Sequence, residues 1–301
     1  MMKVFNPKNL FAASAILLLA ACGGDNDSHD NDTGDSTAVE NVDPNKSNLI
    51  EVDGQVFSIP SPVQTALLIK EVGTTYNKEI LNDPKKATNY TTSAKKALNL
   101  GVYGADLGYV TIYDQTQDAI SYLTSIKSMA DELGVTSAFD LTLMERFEKN
   151  MGNQDTLLAL VSDAYRAADD FLKNNERNDV AALILAGGWV ESLYFALDAA
   201  NQTKDKEIIR RVGEQKNTLS NLIKILQPYY SKPEVTELVD QLNDLKTIYD
   251  QVEITYEYQE PVTDAENHIT TITSKSDVKI SDEQLQAITE KIKTIRENLI
   301  K

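Results

Sequence analysis

The chain contains few of the residues that usually form metal sites, disulfide bonds and catalytic centres. Its 301 residues include one cysteine, one tryptophan and two histidines, and acidic residues outnumber basic ones by 46 to 29. The two histidines, His29 and His268, have no metal-ligand spacing, so we expect neither a metal site nor a cofactor. The net charge of -17 repels nucleic acid, and we expect no nucleic-acid partner.

The single cysteine stands where a lipid anchor is attached in bacterial lipoproteins. Residues 1–21 have the layout of a signal peptide, with two lysines before an apolar stretch that is too short to span a bilayer. An ordinary signal peptide and a buried hydrophobic helix are the alternatives, but Leu19-Ala20-Ala21-Cys22 matches a lipobox. We therefore expect Cys22 to become the acylated first residue and to attach the mature chain to a membrane.

Residues 22–48 form the next segment, which we predict to be a disordered tether. Seven acidic residues and no Lys or Arg lie between Gly23 and Pro44, and such one-signed charge with low hydrophobicity is typical of disorder. Acidic residues shortly after the lipidated cysteine resemble the export signal of Bacteroidota-type lipoproteins. This resemblance implies an outer-membrane location that faces the cell exterior.

Residues 49–301 are expected to fold into one mainly α domain. A short hairpin at 49–59, with Asp53-Gly54 as its turn, precedes helices over 60–252, a β-hairpin over 253–280 and a C-terminal helix over 281–301. The pattern predicts an antiparallel helical bundle or a tandem helical repeat of about eight or nine helices. The N-terminal hairpin is expected to join the C-terminal sheet.

Local signals place two helix boundaries. Ser61-Pro62 favours a helix start, and the polar run Asn82-Asp83-Pro84 is expected to end that helix. Ser281 and Gln284 have the spacing of a capping box, in which each side chain bonds the backbone of the other residue. The last helix is therefore expected to begin next to Ser281.

Two helices share an internal similarity. Ala97–Gly101 and Ala182–Ala186 match at an offset of 85, which also pairs Asp106 with Glu191 and Tyr109 with Tyr194. Tandem helical units bury their apolar faces against one another and leave extended or concave surfaces. A duplication is one interpretation, and chance similarity between two Ala/Leu-rich helices is the other.

Glycines are concentrated in the same two helices, at 101, 104, 108, 187 and 188. A helix-interior glycine costs about 1 kcal/mol relative to alanine, so the cluster requires an explanation. Close helix crossing is one. The other is a ligand site between the helices, in which aromatic rings and carboxylates bind a sugar or a cation. The candidate ligand-binding residues are Tyr103, Asp106, Tyr109, Trp189, Glu191 and Tyr194.

Three runs, Ile59–Pro62 (IPSP), Ala97–Leu107 (ALNLGVYGADL) and Leu185–Tyr194 (LAGGWVESLY), resemble uncharacterised helical lipoproteins of Bacteroidota-type gut anaerobes. The resemblance covers most of 59–200 and implies a helical fold and an envelope location, but no activity. Because no catalytic motif is present, we expect a surface-tethered, non-enzymatic module that binds a partner protein or a small ligand. The alternatives are a carboxylate-based hydrolase that uses Asp106 and Glu191 on glycan or peptide, and a structural envelope protein.

Overall fold

The computed structural model describes residues 48–52, 55–59, 62–135, 141–150, 153–174, 177–264, 269–271 and 275–301. The helices in these ranges are α1 Pro62–Glu71, α2 Ser93–Ile112, α3 Thr116–Leu133, α4 Leu141–Lys149, α5 Gln154–Asn174, α6 Asn178–Thr203, α7 Lys206–Leu226, α8 Pro233–Tyr249 and α9 Asp282–Leu299. The strands are β1 Asn48–Val52, β2 Gln55–Ile59, β3 Glu253–Glu257, β4 Val262–Asp264, β5 Ile269–Thr271 and β6 Lys275–Lys279. The predicted mainly α fold is confirmed. Cys22, the predicted tether and the Asp53-Gly54 turn lie outside the described residues.

Helices α2 and α6 form the centre of the domain and cross with their backbones in contact. A methyl group added to Gly101 would lie 1.9 Å from the carbonyl oxygen of Ile184, and one added to Gly187 would lie 1.9 Å from that of Leu98. The arrangement is reciprocal, since each glycine lies against the carbonyl three residues before the other glycine. Only residues without a Cβ permit this approach, so these two glycines serve close helix crossing.

The central pair runs parallel, whereas α7 and α8, which follow each other in sequence, run antiparallel. Contacts between α2 and α6 advance along both helices, from Leu98 with Gly187 to Tyr109 with Phe195, whose ring centroids are 4.9 Å apart. The Tyr249 hydroxyl near the end of α8 donates to the Val212 carbonyl near the start of α7. The parallel, reciprocal crossing agrees with a duplicated helical unit, which stays a prediction.

Helix α6 is long and apolar enough to span a membrane by composition, with a mean hydropathy of 1.7 over its most apolar stretch. However, 83% of that stretch is buried inside the protein. The neighbours α1, α2, α5, α7 and α9 cover it, so its apolar character is explained by its place at the centre of the core.

The first helix is shorter than the sequence predicts. α1 ends at Glu71 instead of near Asn82, because Gly73 takes a left-handed conformation with φ at 85° and the Thr74 hydroxyl donates to the Ile69 carbonyl. Asp83 instead caps a short 3-10 helix, Pro84–Asn89, by accepting from the Lys85 amide. The polar run therefore begins an element that the sequence interpretation missed.

The capping signal before the last helix is confirmed. The Ser281 hydroxyl accepts from the Gln284 amide at 3.2 Å, and the Gln284 side chain accepts from the Ser281 amide at 2.9 Å. The Gln284 side-chain amide also donates to the Gln251 carbonyl at 2.9 Å, which fixes the start of α9 to the end of α8. This boundary was predictable because its partners are close in sequence.

The strands form separate two-stranded antiparallel sheets within the described residues. β1 pairs with β2, β3 with β6, and β4 with β5, the last pair continuing the hairpin beyond β3 and β6. The expectation that the N-terminal hairpin joins the C-terminal sheet is therefore wrong. Instead, β2 and β6 both contact α7, and Val278 of β6 lies against Gly213 of that helix.

We expect G101A and G187A each to lower the free energy of unfolding by about 2 kcal/mol or more, because the added methyl meets a helix backbone that cannot move aside. Q117A is the matched control, since Gln117 is an exposed residue of α3. Urea unfolding followed by circular dichroism measures all three. An unchanged midpoint for both glycine variants would contradict the close crossing.

Candidate functional site

The six side chains predicted to bind a ligand lie mostly inside the core. Tyr103, Asp106 and Glu191 have no exposed surface, Tyr109 and Trp189 are 2% and 4% exposed, and Tyr194 is half-buried. The structure brings the carboxyl groups of Asp106 and Glu191 together across α2 and α6. It thus supports the predicted pairing of these two acids, but in the interior and not at a cleft.

The four aromatic residues of the predicted site have separate partners. The Tyr103 hydroxyl donates to the Asp83 carbonyl at 2.9 Å, the Tyr109 hydroxyl accepts from the Asn77 amide at 3.2 Å, and the Trp189 indole donates to Gln215 on α7 at 2.9 Å. The Tyr194 ring lies 4.3 Å from the guanidinium carbon of Arg296. These rings secure loops and helices around the crossing and do not form one ligand-facing wall.

The sequence interpretation missed the residue that completes the cluster, Arg296 of α9. Its guanidinium donates to both carboxylate oxygens of Glu191, each at 2.6 Å, and to the Ile80 carbonyl at 2.7 Å. Paired, planar hydrogen bonds of this kind are strong and directional. The sequence does contain one signal for this residue. Arg296 lies four residues after Ile292 and three before Leu299, so a charged residue falls within the buried apolar stripe of α9.

The surroundings of Asp106 favour its protonated form. Burial raises the pKa of its carboxyl well above the usual range, and the nearby Glu191 carboxylate raises it further, against the opposing charge of Arg296. Neither Asp106 oxygen has a regular hydrogen-bond donor among the described residues. Burial also raises the pKa of Glu191, but Arg296 donates two hydrogen bonds to it and favours its charged form. Asp106 is therefore the acid of the pair that keeps its proton, and Glu191 is the carboxylate that pairs with Arg296.

A shell of amides and tyrosines surrounds the cluster and fixes the end of α9 and the segment around Asn82. The Asn99 side chain donates to the Leu299 carbonyl at 2.8 Å, and the Tyr122 hydroxyl donates to the Asn82 carbonyl at 2.9 Å. The Asn82 side chain donates to the Tyr90 hydroxyl at 2.9 Å. Burial raises the pKa of the Tyr90, Tyr103 and Tyr122 hydroxyls, so these phenols stay neutral.

This geometry favours a structural role for the cluster. A carboxylate-based hydrolase requires an acid and a base at a surface that substrate reaches, whereas Asp106 and Glu191 are both enclosed. No group of three or more metal-binding side chains occurs among the residues that the structure describes. The assignment of the six residues to a ligand site stays a prediction that their burial disfavours.

Exposed aromatic surface occurs elsewhere, on the C-terminal ribbon formed by β3 and β6. Tyr256 of β3 and Tyr258, which directly follows this strand, are 66% and 67% exposed. Tyr256 shares a face with Ile254, which is partly buried opposite Val278. Tyr230, 37% exposed, lies at the other end of α8, about 25 Å away along a helix of 17 residues. The ribbon therefore presents its two tyrosines apart from the other exposed ring.

Comparison with known proteins adds no relative: the chain matches no protein-family model, no curated protein and no solved structure.

We expect D106N to be more stable than the wild type at pH 7 and to lose that advantage near pH 4. A carboxyl whose pKa is raised by folding stabilises the protein below its unfolded pKa, near 3.9, and that contribution is lost as pH rises through the folded pKa. The loss is about 1.4 kcal/mol per pH unit. Asparagine has nearly the same shape and does not titrate, so the pH dependence of the unfolding free energy of D106N should be flatter.

D118N is the control with the opposite sign. Partial burial raises the pKa of Asp118, but hydrogen bonds from Lys78 and Tyr76 prevail and lower it. Its contribution is present above the unfolded pKa and is lost as pH falls, so D118N should be less stable than the wild type at pH 7. Equal pH profiles for D106N and wild type in urea titrations would show that Asp106 is ionised in the folded protein.

Proposed function

We propose that this protein is a lipid-anchored, outward-facing outer-membrane protein that carries no catalytic site and binds a partner protein through the C-terminal ribbon. The observation that carries the proposal is the exposure of Tyr256 and Tyr258 on this ribbon. Tyrosine combines a large apolar ring with a polar tip and is enriched where proteins meet.

Attachment and display are supported by the N-terminal sequence. The lipobox at Leu19–Cys22 and the acidic residues that follow it favour an acylated Cys22 with a long polar tether. Such a tether gives the domain reach above the membrane, so that a ribbon on the domain meets proteins at some distance from the anchor.

The ribbon has the features of a surface that receives an extended chain. Within the described residues β3 pairs only with β6, so each strand keeps an outer edge with backbone groups available for another strand. Added strands bind by main-chain hydrogen bonds and take their specificity from adjacent side chains, here that of Tyr256 on β3.

The charge of the ribbon indicates which kind of partner segment fits against it. The sequence of the described residues from 253 to 279 contains five acidic residues and two basic ones, namely Glu253, Glu257, Glu260, Asp264 and Asp277 against Lys275 and Lys279. Lys279 is paired with Glu253 at 3.6 Å, which leaves the ribbon acidic. An extended, basic segment of the partner protein complements this surface.

The alternatives are less well supported. A hydrolase would need the enclosed acids Asp106 and Glu191 to open to substrate, and turnover on glycan or peptide that is lost in both D106N and E191Q would establish it. A purely structural envelope protein offers no reason for two adjacent tyrosines that are two-thirds exposed.

We expect a photo-reactive amino acid at position 256, in the full chain on intact cells, to yield a discrete cross-linked product with another protein. The same amino acid at position 230 is the matched control, because it also replaces an exposed tyrosine but at the far end of α8. Y258S in the background of the position-256 probe should reduce the yield several-fold, because it removes a neighbouring contact ring.

Display is tested on the same cells by protease shaving before lysis. Loss of the protein from shaved, unlysed cells agrees with an outward-facing domain, and full protection would contradict it. Cross-linking at 256 that is absent, or equal to that at 230, would remove the ribbon as the contact surface even if the protein is displayed.

A further inference from the structure

A cavity lies between α2, α3, α4, α5 and α6, apart from the acidic cluster and from the ribbon. Its volume is about 40 Å³, and it is partly open to solvent. Leu100, Gly104 and Leu107 line it from α2, on a different face of that helix from Asp106. The remaining lining residues are Leu123, Ile126, Leu143, Phe147, Leu160, Val161, Ala164 and Ile184.

The chemistry of the wall excludes polar ligands. All of its lining side chains are apolar, so a hydroxyl, amide or charge placed inside would lose its hydrogen bonds to water without replacement. Water is disfavoured for the same reason, since apolar cavities stay dry and accept apolar molecules. The apolar wall therefore favours a hydrocarbon ligand.

The size of the cavity favours a chain end over a ring. One water-sized group occupies roughly 10 to 15 Å³ on this measure, so the cavity has room for about three or four carbon atoms. Gly104 provides part of that room, because it has no side chain to fill the space. Its φ is not positive, so its backbone conformation does not require glycine. A leucine at this position has a side chain of about the same size as the space.

We propose that this cavity binds the end of an alkyl chain, with the polar head of the amphiphile remaining in water outside. Leu143 and Phe147, one turn apart on α4, form the outer wall and are 9% and 2% exposed. Each buried methylene strengthens binding by about fourfold until the space is filled. This inference is independent of the proposed partner surface on the ribbon, because the two sites share no residue.

The experiment uses the full chain on intact cells and a medium-chain fatty acid that carries a diazirine at its terminal carbon. After brief exposure in the cold and irradiation, peptide mass spectrometry locates the labelled residues. We expect label on Leu143, Phe147, Leu160 or Val161. A parallel sample receives the same acyl chain as part of a phospholipid in vesicles, so that a free amphiphile is distinguished from a membrane lipid as the source.

Filling the cavity is the decisive comparison. G104L and A164L place extra carbon in the space from α2 and α5, and either variant that folds should lose label by about tenfold or more, while Q117A retains it. If the cavity binds nothing, filling it should only raise the melting temperature. In that case the lining residues of the wild type should be labelled no more strongly than exposed helix faces. That result, or unchanged labelling of both filled variants, would overturn the proposal.

Discussion

The bidentate ion pair between Arg296 and Glu191 holds α6, α9 and the segment around Ile80 to one buried point. Charges in a protein interior are tolerated only when they are paired and hydrogen-bonded, because desolvating each ion is costly. Removing one member of such a pair typically costs 3–5 kcal/mol, since the other is left buried without a counter-charge. The C-terminal helix is thereby fixed to the centre of the domain.

The glycine crossing and the acidic cluster depend on each other. Gly101 and Gly187 let the backbones of α2 and α6 touch, and this approach places Asp106 on one helix beside Glu191 on the other. Two ionised carboxylates so close in a dry interior would repel, and Asp106 avoids this by keeping its proton. The unusual glycines and the unusual acids are thus explained by one arrangement, which leaves recognition to other parts of the molecule.

The features that could be predicted from the sequence are those formed by residues that lie close together along the chain. The capping box at Ser281 and the pairing of β3 with β6 are local patterns, and both are present. Long-range partners were less accessible: Arg296 meets Glu191 across 105 positions, and nothing near either residue identifies the other. The end of α1 was misplaced because Gly73 is a weaker signal than Asn82-Asp83-Pro84. The glycine cluster left two interpretations open, and only the 1.9 Å contacts distinguish close crossing from a ligand site at these glycines.

We infer that Asp106 is a neutral acid buried beside an ionised Glu191, and the arrangement at the crossing depends on this. Carbon-13 NMR of the folded protein labelled at aspartate carboxyls, with D106N to assign the signal, tests it most directly. The account predicts an Asp106 resonance that keeps the chemical shift of a protonated carboxyl at pH 7, where ordinary aspartates are ionised. An Asp106 signal that titrates near pH 4, like that of an exposed aspartate, would contradict it.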